Sequence, residues 1–189
     1  TFKDAKRDGE WVIYHRERDE QTNETSISEV FQFSKDLKNG VYKSYYENGY
    51  PKAVGAFNQG KRTGKWGFYN SWYTLQLDST GSFTNDVKSG LWTIYQDTSV
   101  QIIGAYKDGK KTGEWKEYNT NQEHLSKTMH YSNGSLNGLV VEYNYNGDTT
   151  EFGSYIKGKR EGEFITHNSS SIITSNYLNG FLHGEYISY

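Results

Sequence analysis

The sequence predicts an all-β fold: an elongated, twisted, single-layer antiparallel meander of about eight β-hairpin repeats. Three observations predict it. A short phrase recurs, "GAFNQGKRTGKWGFY" at 55–69, "GAYKDGKKTGEWKEY" at 104–118 and "GSYIKGKREGEFITH" at 153–167. Apolar weight rests on rings, since aromatic residues make up 16% of a chain whose hydrophobic residues total 33%. Glycine occurs 20 times and proline once. That balance suits many tight turns between strands, because Gly permits positive φ and Pro removes a ladder donor.

The copies align on a glycine two residues before a large apolar residue. These anchors are Gly9, Gly40, Gly64, Gly90, Gly113, Gly138, Gly162 and Gly184, at intervals of 31, 24, 26, 23, 25, 24 and 22 residues. A period near 24 marks a repeat architecture, so residues 1–189 are expected to form a single repeat domain. Seven before each anchor stands an aromatic: Phe2, Phe33, Phe57, Phe83, Tyr106, Tyr131, Tyr155 and Tyr177. Two after it stand Trp11, Tyr42, Trp66, Trp92, Trp115, Val140, Phe164 and Tyr186. Five after it stand seven tyrosines, from Tyr14 to Tyr189, and His167.

Each copy yields its elements in order. "GAF" ends one strand. "NQGK" supplies turn chemistry, with Gly in the left-handed position. Gly60, Gly109, Gly134, Gly158 and Gly180 hold that position, Asp36 and Asp86 replace it, and Ala5 departs from it. "GKWGFY" is the return strand, and a second turn such as "NYNG" at 144–147 leads onward. Residues two apart share a strand face. Gly55 therefore lies beside Phe57, as Gly64 lies beside Trp66, and bare glycine leaves room for a neighbouring ring over the backbone. A column of stacked aromatics along one face follows. The tyrosine five after the anchor has the opposite parity and should line the other face unless a bulge intervenes.

The bulk numbers exclude several function classes. Net charge is -2, which is not the basic footprint of a nucleic-acid binder. There is no cysteine, hence no disulfide and no thiolate metal site. No apolar run approaches the length of a membrane-spanning helix. The first residue is Thr1, as in a processed or truncated product, which leaves export by a missing leader open. A Tyr-, Asn-, Ser- and Thr-rich sheet without cysteine favours the exported bacterial envelope slightly over the cytoplasm.

The repeat resembles the membrane occupation and recognition nexus (MORN) repeat, and most closely its bacterial variant. "GVYKSYYENG" at 40–49 and "AYKDGKKTGEWKEY" at 105–118 carry the likeness, which covers nearly the whole chain. The resemblance implies an elongated single-layer antiparallel sheet. It also implies roles in scaffolding, protein–protein contact and lipid contact, or an antitoxin or immunity role. Its motif residues are structural, so it implies no catalytic residue.

Function should live where copies differ. The longest interval inserts "HRERDEQTNETSISE" at 15–29, a polar projecting loop that is either a solvated insertion or a binding element. Trp72 and Tyr73 lie outside the repeat positions. They are candidate partner-binding residues, or else cover an end or bulge of the sheet. Before the anchor, odd copies carry basic pairs: Lys6-Arg7, Lys61-Arg62, Lys110-Lys111 and Lys159-Arg160. Even copies carry Leu37-Lys38, Val87-Lys88, Ser135-Leu136 and Phe181-Leu182. If all these loops share one edge, Lys61, Arg62, Lys110, Lys111, Lys159 and Arg160 belong to a docking rim for an acidic, partly apolar protein. The bland alternative is duplication of an ancestral pair without function.

Catalytic chemistry is not legible. The five histidines lack metal-ligand spacing. Glu10, Glu114, Glu163 and Glu185 share one repeat position, so they spread along the sheet instead of facing one bond, and are expected as solvent-side charges near lysines. No cofactor or metal is expected, and the chain is not expected to be an enzyme. The expectation is a protein-binding scaffold, within a larger bacterial assembly. The alternative is an antitoxin or immunity protein with one toxin partner, and below it a membrane-surface or carbohydrate-binding module.

Overall fold

The computed structural model describes residues 1–16, 25–70, 76–96, 98–119, 124–184 and 187–188. The chain is all-β, with 18 strands and no helix among the described residues. It comprises two compact units, Thr1–Thr98 and Ser99–Tyr189.

The first unit holds β1 (Phe2–Lys3), β2 (Lys6–Arg7), β3 (Gly9–Tyr14), β4 (Ile27–Ser34), β5 (Leu37–Tyr45), β6 (Pro51–Asn58), β7 (Lys61–Tyr69), β8 (Leu77–Thr84) and β9 (Val87–Gln96). β1 and β2 pair with each other. From β3 to β9 each strand pairs antiparallel with the next in sequence. The second unit repeats the pattern with β10 (Ser99–Lys107), β11 (Lys110–Tyr118), β12 (Leu125–Ser132), β13 (Ser135–Tyr143), β14 (Thr149–Ile156), β15 (Lys159–His167) and β16 (Ile172–Leu178). β16 then pairs with the short strands β17 (Phe181–Leu182) and β18 (Ile187–Ser188). The insertion expected over 15–29 is narrower at its end, because β4 starts at Ile27; residues 17–24 lie outside the described residues.

Each hairpin turns on two residues of positive φ. Gln59 and Gly60 stand at 49° and 83°, Asp108 and Gly109 at 51° and 75°, and the Ala5 copy keeps the same geometry with Asp4 at 50° and Ala5 at 61°. Two successive left-handed residues define the hairpin turn whose twist matches that of the strands.

The two glycines of the motif do different work. Gly104 pairs with Trp115, but Ala105 pairs with Thr112, so Gly113 and Glu114 bulge out of that ladder. They pair instead with Tyr131 and His130 on the next strand. Gly113 has φ +66°, and a side chain there would meet nothing within 4 Å. The anchor is thus glycine for its backbone conformation, and not to clear space beside the Trp, as simple alternation suggests. Gly55, Gly81, Gly104 and Gly153 clear that space: a Cβ on each would overlap the ring of Trp66, Trp92, Trp115 or Phe164. In the sixth copy the small residue and the ring opposite are lost together, Met129 facing Val140, while in the second copy Phe31 faces Tyr42.

The core is the ring face itself. Trp66 is 3% exposed and Trp115 only 1%. Their neighbours stand edge-on. Phe57 meets Trp66 at 5.3 Å and 88°, Phe83 meets Trp92 at 5.2 Å and 90°, and Tyr106 meets Trp115 at 5.1 Å and 87°. Positive ring edges against negative faces make these contacts favourable beyond their buried area. Two of the indole N–H groups tied to backbone are those of Trp92, which donates to the Ser82 carbonyl at 3.1 Å, and Trp115, which donates to that of Ala105 at 3.2 Å. On the opposite face, a Cβ on Gly67 would meet the Tyr69 hydroxyl at 3.5 Å. That places Tyr69 away from Trp66, as parity predicts, despite a register shift between Phe68 and Tyr69.

Candidate functional site

The basic pairs sit where β-hairpins leave their turns, and register decides where each member points. Phe57 pairs with Arg62 and Asn58 with Lys61. Tyr106 pairs with Lys111 and Lys107 with Lys110. Tyr155 pairs with Arg160 and Ile156 with Lys159. Successive residues face opposite sides, so the second member of each pair joins the ring face and the first joins the other.

The second members are structural struts. The Arg62 guanidinium lies 4.1 Å from the Phe83 centroid and 3.1 Å from the Asp86 carboxylate. The Lys111 ammonium lies 4.1 Å from the Trp115 ring. Arg160 lies 4.6 Å from the Phe164 centroid, pairs with Glu151 at 2.7 Å, and donates to the Tyr155 and Tyr177 hydroxyls. Arg7 repeats the arrangement over Phe33 with Asp36. The second and fourth copies do the same, with Lys38 over Phe31 and Lys88 over Trp92, whereas the sixth and eighth carry Leu136 and Leu182 there. A cation over a ring face is attracted by the ring quadrupole.

In the second unit both members alternate between odd and even copies, whereas in the first unit the alternation belongs to the first members. In the first unit these are Lys6, Leu37, Lys61 and Val87, and in the second Lys110, Ser135, Lys159 and Phe181; all are exposed. Within each unit their turns share one edge. The Gly60 N–H donates to the Lys38 carbonyl at 2.7 Å, that of Asp86 to Arg62 at 3.0 Å, that of Gly134 to Lys111 at 2.9 Å and that of Gly180 to Arg160 at 2.9 Å. Lys61, Lys110 and Lys159 form no ion pair among the described residues.

The first unit adds to this edge on the same face. Val41 is 54% exposed and Leu91 61%, one residue after their anchors, and Lys65 is exposed at the equivalent position. Lys43 joins them two residues after Val41. In the second unit that position carries Glu114, Leu139 and Glu163, and Glu114 is tied to Lys116 at 2.9 Å. Glu114 thus shows the solvent-side pairing expected of the repeated glutamates, while Glu10 and Glu163 are exposed and form no ion pair among the described residues. Glu10 holds that position in the first copy, so the first unit offers mainly cations among aliphatic side chains beside one carboxylate, and the second a mixed surface. Trp72 and Tyr73 lie outside the described residues.

One part of the site escaped sequence reasoning. Asp36 and Asp86 replace the turn glycine in the copies that follow Arg7 and Arg62. Their carboxylates accept from those arginines' backbone N–H groups at 2.9 Å as well as from the side chains. The backbone bond from the preceding arginine is the main reason that both carboxyls sit below the usual carboxylate value. The signal was present, since both Asp copies follow an Arg copy. Among the described residues no group of three or more His, Cys, Asp or Glu could hold a metal ion. The chain matches no protein-family model and no curated protein.

Proposed function

We propose that the chain is a non-enzymatic repeat scaffold. Its first unit docks an acidic, partly apolar protein on the face opposite the ring column, as part of a larger bacterial assembly. The observation that carries this is the exposure of Lys61, Lys65 and Lys43 among Leu37, Val41, Val87 and Leu91. The rings already bury one another and the second basic residues already brace them, so the opposite face is left to recognise something else. Desolvated aliphatic contacts supply affinity, while complementary charge supplies orientation and rate. The likeness of the hairpins to bacterial MORN-type repeats accords with a scaffold role.

The test is affinity purification with mass spectrometry, followed by direct binding of each purified partner. We compare wild type with Lys61→Glu/Lys65→Glu, with Leu91→Ser, and with Trp72→Ala/Tyr73→Ala. The expected partner is acidic, binds less tightly at higher salt, and loses roughly tenfold or more in affinity on charge reversal. A partner that binds all variants at unchanged strength overturns the reading.

A further inference from the structure

The ring face of the first unit holds a groove of about 620 Å³ beside Tyr42 and Phe68. A local departure from the repeat makes it. In the second unit, the row four residues after the anchors carries Glu117, Glu142 and Thr166, with Lys127 bridging Glu142 at 2.7 Å. In the first unit the same row pairs Ser44 with Ala53. Both are short, and both are buried, at 7% and 8%. Across β6, Ala53 faces Phe68, so the groove has a floor of two small residues and walls of rings. Neither the column nor the turns require this gap, because the neighbouring copies fill it.

The open end is polar. The Asn70 side-chain oxygen Oδ1 is buried and has no hydrogen-bond partner among the described residues. Asp78 forms no ion pair among the described residues, and its only described side-chain bond is a long one of 3.4 Å from Ser79. The Lys52 ammonium lies 5.6 Å from the Tyr46 ring, and the Tyr46 hydroxyl is fixed by donating to the Tyr69 carbonyl at 2.8 Å. An unpaired buried acceptor is costly, so a donor from an occupant would relieve Asn70.

This set of groups narrows the occupant. A wholly apolar ligand would desolvate Asp78, Lys52 and Asn70 without replacing their partners. A cation would meet Lys52, and an anion would meet Asp78 and the Asn70 oxygen. A peptide adding as a strand needs a free sheet edge, and β5, β6 and β7 are paired on both sides. An uncharged ring carrying both hydroxyl donors and acceptors, with C–H faces to lay on aromatic walls, satisfies every group. We propose that this groove binds a neutral saccharide of one or two sugar rings. Its C–H faces rest against Tyr42 and Phe68, and its hydroxyls bond to Asn70, Asp78 and Lys52. The volume lies in the usual range for a small-ligand site. The site is on the ring face, so it stands or falls separately from protein docking on the opposite face.

The test is a glycan array followed by calorimetric titration of the whole chain with cellobiose, maltose, lactose and N,N′-diacetylchitobiose. Putrescine and glucose 6-phosphate serve as charged comparators. At least one neutral saccharide is expected to bind, with neither comparator binding as well. Asn70→Ala should lower that affinity roughly tenfold, as the loss of one buried hydrogen bond does. Ala53→Leu, which fills the floor, should abolish it. Asp78→Asn is the milder rim variant, expected to bind about fivefold more weakly. Thermal melts report whether each variant is folded, and the two rim variants carry the test if Ala53→Leu is not. The proposal is overturned if no neutral saccharide binds, if a charged comparator binds better, or if folded Asn70→Ala and Asp78→Asn bind as wild type does.

Discussion

The Trp115 indole lies over the backbone of Gly104, its cross-strand partner in the β10–β11 hairpin. This contact joins the motif's two signature residues. It lets a ring 1% exposed be buried on the sheet's own backbone, with its N–H held by Ala105. Gly104→Ala puts a methyl inside that ring's space, so the ring must leave its seat. We expect a loss of about 3 kcal/mol in urea unfolding, the upper part of the range for overpacking. Gly113→Ala meets no atom and only strains a left-handed backbone, at about 1 kcal/mol. The double variant Gly104→Met/Trp115→Val copies the natural Met129–Val140 pair and should recover part of the loss. Equal effects of the two glycine substitutions would refute the division of labour between them.

The two members of a basic pair should separate stability from binding. Lys111 sits on the rings of Trp115 and Tyr131, and Lys111→Ala should lower stability by about 0.5–1 kcal/mol. Lys110 is exposed on the opposite face, and Lys110→Ala should leave the denaturation midpoint unchanged. A comparable shift for Lys110→Ala would mean that both lysines brace the fold.

Acid should loosen the first unit through its turn carboxylates. Asp86 is held below its ordinary value of 3.8, first by the backbone N–H of Arg62 and then, against some desolvation, by the arginine side chain and charge. A carboxylate depressed in the folded state gives stability that is present above its unfolded pKa. That stability is lost as pH falls through the folded value. Asp86→Asn keeps a residue that tolerates positive φ but removes the charge. Thermal melts from pH 7 to pH 2.5 should show wild type losing more stability than the variant below about pH 4. Parallel curves would show that Asp86 contributes nothing to the acid response.

Much of the hairpin architecture was legible because each copy writes the same local chemistry. Turn glycines specify the hairpin, and the Gly–aromatic spacing specifies the ring column, so Gly55 beside Phe57 follows from alternation, while its place under Trp66 needs the cross-strand register. The anchor bulge was not legible. A glycine inside a strand pattern fits both a cleared space and a left-handed bulge, and only backbone geometry separates Gly104 from Gly113. The basic rim was half legible. Sequence places Lys61 and Arg62 together, but register sends them to opposite faces, and the Arg62–Asp86 tie spans a full repeat. The groove was invisible, because Ser44 and Ala53 matter only as cross-strand partners.

In this 189-residue chain, the outer edge of β3 should recruit another strand. Among the described residues β3 pairs with β4 alone, while β5 and β7 have partners on both sides. Its residues Val12, Ile13 and Tyr14 are exposed. The Trp11 indole N–H is buried without an acceptor, whereas Trp66, Trp92 and Trp115 each donate to a carbonyl. An open apolar edge with an unmet donor favours pairing with a second molecule. Sedimentation velocity of the 189-residue chain should therefore show association that grows with concentration. Val12→Lys, a charge on an already exposed position, should suppress it and leave the melting temperature in place. A wild-type chain that stays monomeric up to on the order of 100 µM, a concentration that would reveal even weak pairing, would show that this edge is closed by other means.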